Sequence, residues 1–268
     1  GYLIMLKTRL VSTFVMLAIF FASFFIFDPW LFFALTSIVS IIALYELCSL
    51  FRLKFNQKII LWSASLVPSI YFYLFNFDNI NIIFFTSLIF WLFFAVFHLY
   101  SKFHLTKNFN VILGVILIVP LWVSVVSLFL DNKLFLLFIF ISIFIADIGA
   151  YLFGKKYGKN KLMPNVSPGK TIEGVLGAFF LNTIFACSLS FYVSVELLII
   201  VAGTTLITFL SVFGDLYESL LKRQSGVKDS GSIIPGHGGI LDRIDGFFPT
   251  IPIFALISNS SYFIGVIL

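Results

Sequence analysis

Nine apolar stretches, each close to the roughly 20 residues a helix needs to cross a bilayer core, dominate this chain. They are Leu10–Phe27, Pro29–Phe51, Ile59–Phe75, Ile82–Leu99, Val111–Leu130, Leu134–Phe153, Gly174–Tyr192, Val195–Leu221 and Phe247–Leu268. The polar segments between them are too short to fold independently. Only 11% of the residues are charged against 60% hydrophobic, whereas a soluble domain carries roughly a quarter charged. A water-soluble fold is thereby excluded. The expected fold is all-α, a polytopic membrane bundle of about nine transmembrane helices. It forms a single membrane domain over residues 1–268, with N-terminal helices to about 130 and chemistry-bearing helices and loops from about 134. The first run lacks a small-residue cleavage site, so it is expected to remain a helix. Cys48 and Cys187 both lie in apolar runs without spaced partners, so neither a disulfide framework nor a thiolate metal site is indicated.

Nine spans with the N-terminus inside place sixteen of the seventeen Lys and Arg residues on the cytoplasmic side, leaving only Lys133 outside. That asymmetry sets the expected orientation. The net charge of +5 is spread over short loops without a nucleic-acid-binding motif, so the expected partners are anionic headgroups and phosphates rather than DNA or RNA. No internal repeat is visible, which argues against an inverted-repeat transporter.

Two inner loops are long and rich in Gly, Lys and Pro: 154–174 and 222–246. Each follows a helix carrying acids, Asp147 in one case and Asp215 with Glu218 in the other. A charge deep in the bilayer costs about 2.5–3.5 kcal/mol, so these side chains are expected to line a wet cavity. On a helix, Asp215, Glu218 and Lys222 share a face, and Asp242 and Asp245 lie together if a helix starts there. Four carboxylates, Asp215, Glu218, Asp242 and Asp245, would then converge. An all-oxygen set of this kind suits a hard cation such as Mg2+ completed by substrate phosphates. The competing reading is a structural ion-pair network with Lys222, Arg223 and Arg243.

Between Gly226 and Gly246 the run Pro235-Gly236-His237-Gly238-Gly239 frees backbone amides to close around an anion, with Lys228 adding a charge. In the earlier loop, Gly169-Lys170-Thr171 invites a P-loop reading. That reading fails because Pro164 stands where the first glycine belongs. Ser167-Pro168 reads instead as a helix start, with Lys170 facing a bound anion. A merely solvated basic loop is the alternative.

The run Ser219-Leu220-Leu221-Lys222-Arg223, then Lys228-Asp229, Gly231, Ile234-Pro235, His237-Gly238-Gly239-Ile240 and Asp242-Arg243-Ile244-Asp245 resembles the signature of the phosphatidate cytidylyltransferase family without departure. The segments Ser211–Leu216, Ala150-Tyr151 and Ser167–Gly174 are similar to that family too. The resemblance covers the C-terminal half; the first five spans match only in general character.

The resemblance implies a membrane enzyme that joins CTP and phosphatidic acid into CDP-diacylglycerol and pyrophosphate with Mg2+, and with room for a second cation. It implies Asp215 and Asp242 as metal ligands, with Asp245 next. Lys222, Arg223, Lys228 and Arg243 would handle phosphates. Ser167, Lys170, Thr171, His237, Gly238 and Gly239 are the expected nucleotide or lipid-phosphate contacts. The roles of Asp147 and Glu218 stay open. A bacterial cytoplasmic membrane, a site facing the cytoplasm, contacts with membrane lipids and a homodimer complete the expectations. The rival readings are a CTP-dependent lipid alcohol kinase and an ion or organic-anion transporter.

Overall fold

The computed structural model describes residues 2–75, 79–233 and 238–260. Its helices are α1 (Tyr2–Phe25), α2 (Pro29–Leu50), α3 (Phe55–Phe75), α4 (Ile80–Ile89), α5 (Val96–Ser101), α6 (Lys107–Tyr157), α7 (Ile172–Leu189), α8 (Leu197–Gln224), α9 (Leu241–Ile244) and α10 (Phe247–Ser258). A π-helical turn, Phe90–Ala95, joins α4 to α5, making one apolar rod Ile80–Ser101. The architecture is therefore predominantly helical, as the sequence requires.

Among the described residues, five helical segments are long and apolar enough to cross a membrane: Pro29–Leu50, Ile80–Ser101, Lys107–Tyr157, Ile172–Leu189 and Leu197–Gln224. Within the described residues each of the nine apolar stretches lies largely on a helix, though not one-to-one. The fifth and sixth both lie in α6, which breaks at Asn132, where the backbone leaves helical geometry (φ −153°, ψ 82°). Asn132 then caps the following turn by accepting from Phe135 N at 3.0 Å. The ninth stretch is represented by α10, whose 12 residues rise only about 18 Å, short of a bilayer core. Residues 261–268 lie outside the described residues, as does Asp78.

Two starts are set by local chemistry. Asp28 accepts from Leu31 N at 2.8 Å and precedes Pro29, so α2 begins with a capping carboxylate and a proline at its first position. Thr106 caps α6 in the same way, accepting from Phe109 N.

The large core joins α1, α2 and α6 through aromatic packing. Phe32 stacks on Phe129 at 3.6 Å between ring centroids, and Phe24 meets both edge-on. α10 is buried from Phe247 to Ala255 and threads between α4, α6 and α8. Polar contacts tie the C-terminal helices together. Asn182 on α7 donates to Ser142 O on α6 and to Thr208 Oγ1 on α8, at 3.0 and 2.7 Å.

The 154–174 loop differs from the reading of a helix starting at Ser167-Pro168. It forms an antiparallel hairpin, β1 (Lys161–Met163) paired with β2 (Ser167–Thr171), so the chain is not purely α-helical. The α7 helix starts four residues later than expected, at Ile172, because Thr171 provides the cap, its Oγ1 accepting from Gly174 N at 3.1 Å. Glu173 holds the other side of the turn, accepting from the N–H groups of Lys159 and Asn160. The hairpin tip buries Val166 against Leu216 and Leu220 of α8, which fixes β2 beside that helix.

Candidate active site

The two chemistry-bearing helices meet where α8 passes the start of α10. Gly214 has no room for a side chain: a Cβ there would collide with the Asp245 carbonyl and the Pro249 ring. This close crossing brings Asp215, one residue on, up to Asp245. Glu218 lies a turn further along the same face. One carboxylate oxygen from each of Asp215, Glu218 and Asp245 falls within 4.8 Å of the others.

A cavity of about 300 Å³ opens beside them. Its walls include Asp147 from α6, Lys170 and Thr171 from β2, Asp215 from α8, and Asp242, Arg243 and Asp245 from α9 and its flank. Lys170 forms an ion pair with Asp215, which the docking of the hairpin on α8 makes possible. Lys222 Nζ bridges Glu218 Oε2 at 2.5 Å and Asp242 Oδ1 at 2.7 Å.

Five carboxyl groups (Asp147, Asp215, Glu218, Asp242, Asp245) thus gather with three basic side chains (Lys170, Lys222, Arg243). Burial, followed by repulsion from Asp215, Glu218 and Asp147, holds the Asp245 carboxyl well above the usual carboxylate range. Glu218 Oε1 is buried with no hydrogen-bond partner among the described residues. An oxygen-only donor set with an unfilled buried oxygen and more acidic than basic groups fits one hard divalent cation.

Asp242 lies beside this group rather than within it. Its Oδ2 accepts from Gly239 N at 2.9 Å and Ser230 N at 3.1 Å, while Oδ1 takes Lys222. Burial pushes this carboxyl up, but Lys222 and the two amides outweigh it, leaving it below the ordinary range. The metal trio implied by the resemblance was Asp215, Asp242 and Asp245; the closest trio here has Glu218 in place of Asp242, which lines the same cavity.

The remaining expected contacts are dispersed. Arg223 points to the hairpin and its own loop, donating to Val166 O and Val227 O, both at 3.3 Å. Lys228 is exposed on the following loop, outside the cavity wall. Ser167 begins β2 away from the wall, and Thr171 is committed to its cap while lining the cavity. Gly238 adopts a left-handed φ of +83°, which glycine alone adopts without strain. Gly239 is packed against Glu46, its amide given to Asp242. His237, with Pro235 and Gly236 of the anticipated anion nest, lies outside the described residues.

Glu46 is the residue that sequence reasoning missed. It is a 2% exposed carboxylate on α2, and it reaches across to the 222–246 loop. Its oxygens accept from Ile240 N and Leu241 N, each at 3.0 Å, and from Ser230 Oγ at 3.1 Å. A Cβ on Gly231 or Gly239 would strike this carboxylate, so both glycines are spaces cleared for it. The available signal was an acid within an apolar span, which membrane chains rarely carry without a task.

A sequence profile described as the cytidylyltransferase family matches residues 7–261. A phosphatidate cytidylyltransferase of Haemophilus influenzae is 30% identical over 285 residues, covering 94% of this chain and 98% of that protein. The phosphatidate cytidylyltransferases of Pseudomonas aeruginosa and Staphylococcus aureus are 42% and 49% identical over 149 and 123 residues. These two alignments cover 53% and 44% of this chain, and the chain spans about half the length of each relative, 55% and 46%.

Proposed function

Because the chain belongs to the cytidylyltransferase family, we propose that it condenses CTP with phosphatidic acid to give CDP-diacylglycerol and pyrophosphate. The observation that carries this reading is the convergence of the Asp215, Glu218 and Asp245 carboxylates beside a 300 Å³ cavity whose wall also carries Lys170 and Arg243. Carboxylates for a cation and basic side chains for phosphates are the parts phosphoryl-group chemistry needs.

Asp215, Glu218 and Asp245 would hold Mg2+. Asp242 is the donor left for a second cation, since a carboxylate has about four lone-pair sites and three donors occupy it here. When bound, the cation supplies charge neutralisation at the phosphate oxygens. An oxygen of the lipid phosphate attacks the α-phosphorus of CTP in line. The new O–P bond forms as the bond to the β-phosphate oxygen breaks, and its electron pair leaves with pyrophosphate. Arg243 and Lys170 orient the phosphates along the cavity wall, and Lys222 keeps Glu218 and Asp242 in register. A phosphate monoester with a second pKa of about 6 is already largely ionised at neutral pH, so no strong general base is required.

The setting goes with the reading: nine spans with the N-terminus inside, a bacterial cytoplasmic membrane with the cavity facing the cytoplasm, and pairing into a homodimer. The basic loops favour this orientation. The test incubates purified protein in detergent with CTP, phosphatidic acid and Mg2+, with and without EDTA. Cation-dependent pyrophosphate release that requires the lipid supports the proposal. Released CDP instead indicates a lipid kinase. Anion flux in sealed vesicles without nucleotide chemistry indicates a transporter.

A further inference from the structure

A second, larger cavity of about 530 Å³ lies on the other side of α9. Its lining is almost wholly apolar and comes from α1, α2, α6 and the start of α10. The one-turn helix α9 and its flanking residues line both cavities. Ile240 and Ile244, four residues apart, face the apolar cavity, while Asp242, Arg243 and Asp245 face the polar one. The wall of α6 is shared in the same way. Phe140 lines the apolar cavity and Asp147 the polar one, about 10 Å apart along one helix face.

The dimensions match a hydrocarbon chain. Along α2 the cavity runs from Ala43 to Phe32, a rise of about 16 Å. The end near Ala43 is tied to the polar site, because Glu46, less than a turn further on, holds the amides of Ile240 and Leu241. At the far end Phe24 and Phe32 line the cavity, packed on Phe129. The volume falls within the 300–1,000 Å³ or so typical of ligand pockets.

We infer that this cavity receives one acyl chain of the phosphate-bearing lipid, with the headgroup phosphate beside Arg243. The inference rests on the proposed reaction and specifies where its lipid substrate sits. A chain held here sets the phosphate's depth, and α9 measures headgroup against tail.

The experiment compares Val39→Trp, which fills the middle of the cavity, with the unsubstituted protein on dioleoyl and dihexanoyl phosphatidic acid. Blocking several methylenes should raise KM for the long-chain lipid about tenfold or more while leaving the short-chain lipid and CTP within twofold. Equal losses on both lipids, or no change on either, overturn the inference, as does a change of oligomeric state that assigns the cavity to a second copy. Because Val39→Trp risks misfolding, a photoreactive phosphatidic acid with a diazirine near the chain terminus gives an independent reading on the unsubstituted protein. Labelling of the cavity wall, residues 15–43 or 118–140, supports the inference; labelling confined elsewhere overturns it. The label is read without turnover. A protein that makes no nucleotide-linked lipid yet labels in α1 and α2 therefore overturns the reaction and keeps the cavity assignment.

Discussion

Replacing Glu46 by alanine should cripple a site it never touches. Its carboxylate accepts two backbone amides and a hydroxyl from the 222–246 loop, and it is 2% exposed. Removing it strands the amides of Ile240 and Leu241, and an unsatisfied buried donor costs about 1–3 kcal/mol. Two such losses amount to about 2–6 kcal/mol of local stability at the point where α9 begins. If the loop must hold Asp242 and Asp245 in place during turnover, that loss corresponds to at least a tenfold fall in rate, since each 1.36 kcal/mol or so is tenfold. Glu46→Gln keeps one acceptor oxygen and should fall between the two. Pyrophosphate release gives the rate, and hydrogen exchange over residues 226–246 reports the loop. A Glu46→Ala protein with unchanged exchange and unchanged rate would refute the reasoning.

Two further outcomes follow from the same geometry. Asp215→Asn and Asp245→Asn should each lower turnover by at least a hundredfold and abolish the rise in thermal midpoint that Mg2+ gives the unsubstituted protein, a ligand at 100 times its Kd being worth about 2.7 kcal/mol. Retained activity with a retained Mg2+ shift in either variant would remove that residue from the cation set. Asp242 titrates below the ordinary range, so its stabilisation is complete above its unfolded pKa of about 3.9 and is lost as pH falls through its lower folded value. Thermal melts between pH 6 and about pH 2 should therefore show an acid-side loss that Asp242→Asn diminishes, and identical pH profiles would count against the Lys222 and amide contacts as its cause.

The helices were legible because apolar runs of bilayer length leave little choice of structure. So was the shared face of Asp215, Glu218 and Lys222, which helical spacing alone dictates. What escaped depends on contacts between distant parts of the chain. Glu46 acts on residues 184 to 195 positions away, and no local pattern announces that. The hairpin at 161–171 contains Ser167-Pro168, which reads locally as a helix start. Burial of Val166 on α8 accompanies its strand pairing. Asp242 and Asp245 look equivalent three residues apart, yet one is taken by Lys222 and loop amides while the other turns into the carboxylate cluster. The break at Asn132 was visible as a polar gap, though not the helix that continues on both sides of it.

The most direct test of the account is to follow label from the two ends of the triphosphate. CTP labelled at the α-phosphate or at the γ-phosphate is supplied in parallel to the purified protein with phosphatidic acid and Mg2+. The account predicts α-label in the lipid fraction and γ-label in released pyrophosphate, in equal amounts. The γ-label appearing in lipid, with CDP left behind, would contradict it.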